Sequence, residues 1–205
     1  RPGFLLCETC LAAVEAWPST CPACAGPSDG GATHPACRTR SPLAGQTVAG
    51  VYGGPLAAAV RAFKYRNRRG LARPLAELLA AGPLKPVPAP ELVVPVPLHP
   101  DRARSRGYNQ AALLGKELAH LFGVHYEPQG LIRTRPTVPQ VGLSAAARRE
   151  NVRGAFRCPR PELVSGRRIW LVDDVITTGA TVTEAARTLR RAGACQVWAV
   201  AVAHD

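Results

Sequence analysis

A chain of 205 residues, 46% of them hydrophobic, is long enough for one α/β domain with a sizeable core and a small satellite. Aromatics make up only 5%, so the core must be built mainly from Ala, Leu and Val. No apolar stretch is long enough to span a bilayer and no secretory signal is visible, which argues against membrane insertion. The net charge of +12, carried mostly by Arg, favours polyanionic partners: nucleic acid, or a highly phosphorylated small molecule. The chain contains no Met, so Arg1 is not expected to be its native start.

Residues 1–41 are loop-rich and crowded with cysteines. So short a piece cannot bury a core of its own, and a metal-held ribbon suits it. From about Gln46 the character changes, and residues 46–205 read as the main domain. Val48 to Tyr52 suggests a strand. Leu56, Val60 and Phe63 recur at helical spacing among several basic residues, and a second helix is expected over 72–81 with Pro74 in its first turn. Pro83 to Pro90 is a connector, Leu92-Val93-Val94 a short buried strand, and Asn109 the N-cap of a helix running to Phe122, with Gly123 at its end. Pro128 to Leu143 reads as loop, and Ser144 as the cap of a short Ala/Arg helix. Arg168 to Val172 is a continuously apolar strand, Thr181 to Arg191 a helix, and Val197 to Val202 a last buried strand. Strands alternating with helices predict an α/β fold with a mostly parallel sheet.

The most informative run is Ile169 to Thr181. Four apolar residues end in Asp173-Asp174 at the carboxyl edge of a strand, where ligands of open α/β sheets bind. After Val175 and Ile176, also candidate ligand contacts, the loop Thr177-Thr178-Gly179-Ala180-Thr181 leads into a helix. Its N–H groups and Thr hydroxyls can surround a phosphate, assisted by the helix dipole. The carboxylates would repel a bare phosphate, but they suit sugar hydroxyls or Mg²⁺ held through water. Together these features suit a ribose 5-phosphate.

This run resembles the phosphoribosyl-pyrophosphate (PRPP) signature of type I phosphoribosyltransferases. Further segments add to it: Phe63-Lys64-Tyr65, the run Val94-Pro95-Val96-Pro97-Leu98-His99-Pro100, the residues Arg106-Gly107-Tyr108-Asn109-Gln110, Gln140 to Ser144, and Arg148 to Phe156. With these, the chain is similar to the ComF family, in which a small N-terminal zinc ribbon precedes a type I phosphoribosyltransferase-like domain. The resemblance implies a cytoplasmic role in DNA uptake during natural competence. It implies that Asp173 and Asp174 face the ribose hydroxyls and that Thr177 to Thr181 hold the 5′-phosphate. It also implies that Pro95-Val96-Pro97 forms the pyrophosphate turn, that Lys64 reaches the same pyrophosphate, and that Thr134 to Leu143 covers the site. In catalysis the acids and Lys64 would work with Mg²⁺.

Cys7-Glu8-Thr9-Cys10 and Cys21-Pro22-Ala23-Cys24 are two C-x-x-C knuckles, and His34-Pro35-Ala36-Cys37 repeats the spacing with His first. Two tetrahedral Zn²⁺ sites are conceivable: Cys7, Cys10, Cys21 and Cys24, or Cys21, Cys24, His34 and Cys37. Either fills all four positions, so the metal's role is structural. The family resemblance implies a further C-x-x-C pair upstream. His99, His120, His125 and His204 lack ligand spacing and are expected at the surface or at caps.

Arg102, Arg104 and Arg106, followed by Tyr108, form a basic stretch with one aromatic. It can grip a nucleic-acid backbone and stack a base, line the pyrophosphate side, or simply be solvated. The expected ligands and partners are therefore PRPP, single-stranded DNA and, by the resemblance, a DNA translocase; a homodimer is conceivable. Two other functions fit the sequence: a metabolic phosphoribosyltransferase acting on a nucleobase or small amine, and a non-catalytic PRPP-sensing adaptor.

Overall fold

The computed structural model describes residues 7–99, 104, 106–135 and 144–205. Its centre is a parallel sheet formed by β1 (Gly45–Val51), β2 (Leu92–Pro95), β3 (His125–Tyr126), β6 (Arg168–Val172), β7 (Val175–Ile176) and β8 (Gln196–His204). The order is β1-β8-β6-β2-β3, with β7 continuing alongside β8, and every pairing is parallel. A small antiparallel pair, β4 (Ile132–Arg133) and β5 (Phe156–Arg157), stands apart. Among the described residues the main helices are α1 (Glu8–Ala12), α2 (Gly54–Tyr65), α3 (Ala72–Ala81), α4 (Gln110–Phe122), α5 (Ala145–Val152) and α6 (Ala180–Arg191).

The central strands are apolar throughout because both sheet faces are covered. Side chains alternate across a strand. Val93, Trp170, Val172, Trp198, Val200 and Val202 therefore share one core with Phe63 of α2, Leu75 of α3 and Leu114 of α4. Leu92, Val94, Ile169, Leu171, Val197 and Ala199 share the other with Val182, Ala185 and Leu189 of α6. Gly45 lies where any Cβ would strike the Trp198 ring at 2.3 Å, so the first residue of β1 must be glycine for the strand to pair there.

Local signals set most helix ends. Asn109 accepts from the Ala111 amide and Ser144 from the Ala147 amide, both as N-caps. Gly123 closes α4 in the left-handed conformation, φ 62°. The structure adds several short elements to those expected. Within the stretch read as loop, β4 forms by pairing with β5, an equally unexpected strand more than twenty residues downstream. The two-residue β3 is held by β2, and α1 follows Cys7. The N-terminal segment joins the sheet edge through Val51 N–H to the Glu15 carbonyl (2.8 Å) and Ala44 N–H to the Val197 carbonyl (2.8 Å). Among the described residues no helix is long and apolar enough to cross a membrane.

Candidate functional site: an acidic strand end facing a phosphate loop

In a parallel sheet all carboxyl ends lie on one edge. Here that edge carries Tyr52 after β1, Val96 and Pro97 after β2, Asp173 and Asp174 after β6, and Asp205 after β8. All of them line one cleft of about 610 Å³. The cleft also takes in Lys64 and Tyr65 from α2, Arg106, Arg133, Arg148, and Thr177, Gly179, Ala180 and Thr181 of the loop. The predicted acids, Lys64, Val96 and Pro97 of the turn, and all of the loop except Thr178 thus line one cleft, whereas Pro95, the last residue of β2, does not.

The acids are fixed by backbone pairing with β8. The Asp173 amide donates to the Val200 carbonyl (2.9 Å), and the Asp174 carbonyl accepts from Val202 N–H (3.1 Å). Asp173 Oδ1 accepts from the Asp174 amide at 2.8 Å, which orients the first carboxylate. Burial, followed by the neighbouring charge of Asp174, pushes the Asp173 carboxyl up to about 7. The Asp174 amide, Lys64 and Arg133 pull the other way. Lys64 Nζ lies 2.8 Å from Asp174 Oδ1. Burial opposes the Lys64 charge, but Asp174, joined by Asp173 and Tyr65, outweighs it and holds the ammonium above its ordinary pKa. Lys64, expected to reach a pyrophosphate, is thus paired with the second acid in the ligand-free chain.

The loop opens α6. Gly179 sits at its N-cap with φ 70°, a conformation strained for any other residue, and its carbonyl accepts from Thr183 N–H at 2.9 Å. Val175 and Ile176, between the acids and the loop, form β7 beside β8 and line the cleft. One contact went unforeseen: Arg148 on α5 donates through Nη1 to Thr177 Oγ1 at 2.9 Å. The Ser144 cap had located this helix, and residues one turn apart share a face, but the sequence does not say which face meets the loop. Arg133 is likewise a cleft residue made visible only by the β4–β5 pairing.

The Pro95-Val96-Pro97 turn is tied in twice. Val96 N–H donates to the Val172 carbonyl at 2.8 Å, and the Val96 carbonyl accepts from Asn109 Nδ2 at 2.9 Å. The basic stretch divides. Arg102 and most of the expected covering segment, residues 136–143, lie outside the described residues. Arg104 is exposed, and Arg106 lines the cleft. Tyr108 is partly buried. Its hydroxyl donates to the Phe63 carbonyl, its ring packs into the α2–α4 core, and the Arg69 guanidinium lies 4.7 Å from its centroid. Tyr108 anchors the end of α2 that carries Lys64.

In the cysteine-rich segment the ligand atoms of Cys21, Cys24, His34 and Cys37 all lie within 4.8 Å of one another. This is the second of the two arrangements conceived from the sequence. Cys7 and Cys10 lie outside the cluster and interact with each other, because α1 carries them away from it. Three observations fit a tetrahedral thiolate–imidazole site. Cys21 is fully buried; although burial opposes it, the amides of His34, Ala23 and Cys24 bring its thiol down to about 6. Arg40 donates to Cys37 Sγ at 3.0 Å. His34 Nδ1 faces Cys24 Sγ at 3.4 Å while Nε2 meets the Pro27 carbonyl at 2.9 Å, an outer contact that fixes the ring. The remaining histidines are not all peripheral: His99 is buried, and His204 stacks on Trp17 at 3.9 Å.

Comparison with known proteins agrees with this geometry. The phosphoribosyl transferase domain family matches residues 109–205. "DNA utilization protein YhgH" of Salmonella typhi is 38% identical over 94% of this chain and 88% of its own length. "Competence protein F" of Haemophilus influenzae is 38% identical over 75% of this chain and 71% of its own. A solved glutamine PRPP amidotransferase from B. subtilis is 24% identical, covering 69% of this chain and 30% of that one, with a TM-score of 0.48 that describes a likeness of outline only. With its parallel sheet, acid-tipped β6 and Cys/His cluster, and with relatives alike over most of their length, the chain belongs to the ComF family of proteins with a phosphoribosyltransferase domain.

Proposed function

We propose that the cleft binds PRPP with Mg²⁺ and that the protein handles incoming single-stranded DNA in the cytoplasm, in the manner the relatives' names suggest. The observation that carries this reading is the convergence of Asp173-Asp174 with the Thr177–Thr181 loop in one cleft. Loop amides, Thr hydroxyls, the Arg148 guanidinium and the start of α6 suit a 5′-phosphate. The two carboxylates suit the ribose hydroxyls. The Pro95-Val96-Pro97 turn, with Lys64 near it in the same cleft, suits the pyrophosphate.

The Mg²⁺ would neutralise pyrophosphate charge as that group departs from C1 of the ribose. The acids would stabilise positive charge developing on the sugar, and Lys64 would exchange Asp174 for a pyrophosphate oxygen. The Cys21, Cys24, His34 and Cys37 cluster would hold a structural Zn²⁺. The ribbon so formed offers a docking element for a partner such as a DNA translocase.

Pyrophosphate release from PRPP and Mg²⁺ tests the transferase part, with single-stranded DNA, free nucleobases or small amines supplied in turn. DNA-dependent release is the expected result. Release with a nucleobase or amine alone would identify a metabolic transferase instead. Tight PRPP binding without release under any condition would identify a PRPP-sensing adaptor.

A further inference from the structure

Tyr65 is the last residue of α2 and directly follows Lys64, whose ammonium meets Asp174. The residue is 72% exposed, yet it lines the same cleft as the acids. Exposure of this kind is unusual in the chain. Among the described residues the other exposed large hydrophobic is Phe122, at 38%, and that ring is used, packing edge-on against Trp170 at 4.8 Å. The Tyr65 hydroxyl and ring make no such packing contact with the core.

One face of the Tyr65 ring is nonetheless occupied. The Arg106 guanidinium carbon lies 5.1 Å from its centroid. Arg106 is itself held, donating through Nη1 to Gln110 Oε1 at 2.8 Å, and Gln110 is fully buried. Gln110 also reaches the Phe63 carbonyl at 3.4 Å, to which the Tyr108 hydroxyl donates as well. The end of α2 and the start of α4 are thereby clamped together, fixing both Tyr65 and the cation behind it. A cleft-lining ring braced on one face by a fixed guanidinium, with most of its surface in solvent, leaves its other face available to a ligand. Planar rings stack on such a face, and the cation beyond strengthens the contact.

We propose that Tyr65, braced by Arg106, is the platform on which a planar nucleobase stacks at the mouth of the cleft. The ligand class is an aromatic base, either free or at an exposed position of a single strand. The platform takes the role that the sequence suggested for Tyr108, whose ring is committed to holding α2. The proposal deepens the PRPP reading and rests on it: a phosphoribosyl site needs a place for the acceptor, and Tyr65 shares the cleft with the residues assigned to the ribose. The surrounding cations, Arg106, Arg133, Arg148 and Lys64, suit a strand's phosphates as well as PRPP.

The test compares the full-length wild type with Tyr65→Leu and Tyr65→Phe. Leucine keeps an apolar side chain and removes the π-face; phenylalanine keeps the face and removes the hydroxyl. Because the ring is exposed, neither change is expected to impair folding, which a melting curve checks. Dye-labelled oligothymidylate is followed by fluorescence anisotropy, and free adenine, guanine, cytosine and uracil by calorimetry, each with PRPP and Mg²⁺ present. The wild type is expected to bind at least one of these base-bearing probes. Tyr65→Leu should weaken that binding by about tenfold or more, with Tyr65→Phe within about twofold of wild type. Binding of the oligonucleotide alone marks a strand as the source of the base, and binding of a free base marks a small acceptor. A wild type that binds neither probe, or Tyr65→Leu that binds as tightly as wild type, overturns the proposal. PRPP with Mg²⁺ is titrated separately into the wild type. No PRPP binding alongside Tyr65-dependent base binding would fault the PRPP reading and leave the platform standing.

Discussion

The Lys64–Asp174 contact gives the sharpest quantitative expectation. The two side chains are 18% and 11% exposed and meet at 2.8 Å, so the pair lies near the buried end of the range. Exposed pairs contribute about 0.2–1 kcal/mol, whereas removing one partner of a buried pair costs about 3–5 kcal/mol, because the other charge is stranded. Here the stranded charge would be Asp174, next to Asp173, a second carboxyl that already resists ionisation. Both side chains keep some exposure to solvent, so Lys64→Met should destabilise the ligand-free protein by about 2–3 kcal/mol. For a chain of this size that corresponds to a fall of roughly 5–10 °C in melting temperature. Asp174→Asn in the Lys64→Met background should recover most of the loss. A double-mutant cycle by urea denaturation, with Mg²⁺ chelated, should therefore give a coupling of about 2 kcal/mol. The sign with pH also follows. A lysine whose folded pKa is raised contributes stability that is complete below its unfolded pKa and lost as pH rises through the folded one, so the coupling should fade only in strongly alkaline buffer. A coupling below about 0.5 kcal/mol at pH 7 would show that the pair does not hold the cleft as described.

Other expectations are as direct. Asp173 has a raised folded pKa, so the folded state holds its proton longer than the unfolded state, and ligand-free stability should fall as pH rises from about 4 to about 7. A folded pKa of about 7 sets a ceiling of about 4 kcal/mol, which exposure to the cleft reduces to about 2; Asp173→Asn should flatten that slope in urea melts at successive pH values. Arg148→Ala removes a guanidinium bonded to the phosphate loop and should weaken PRPP binding by about tenfold to a hundredfold. The metal cluster predicts one Zn²⁺ per chain by elemental analysis. In the native protein Cys195 and Cys7 should react with a thiol reagent at once, while Cys21, Cys24 and Cys37 should react only after Zn²⁺ is withdrawn.

How far the sequence foretold this structure depended on the range of each signal. Helix ends with a local cap, at Asn109, Ser144 and Gly123, were legible because side chain and backbone partner are neighbours. The strands β6 and β8 were legible because burial on both faces demands continuous apolar runs. The acids and loop were legible as a site because strand end, turn and helix start are contiguous. What failed to show was long-range. The β4–β5 pairing, and with it Arg133, depends on residues far apart in sequence. Arg148 meets Thr177 across 29 positions. Tyr108 looked available for stacking, since nothing nearby reveals that its hydroxyl is used by Phe63, 45 positions away. The cysteine spacings allowed two ligand sets, and only the path of α1 separates Cys7 and Cys10 from the cluster.

The account stands or falls on whether the cleft takes PRPP. Isothermal titration of PRPP with Mg²⁺ into the zinc-loaded wild type, and into an Asp173→Asn/Asp174→Asn variant, measures this directly. Saturable binding at one site per chain, lost in a variant that its melting curve shows to be folded, is the predicted result. Heat no greater than that of dilution with folded wild type would contradict it, leaving a phosphoribosyltransferase fold that serves as a scaffold alone.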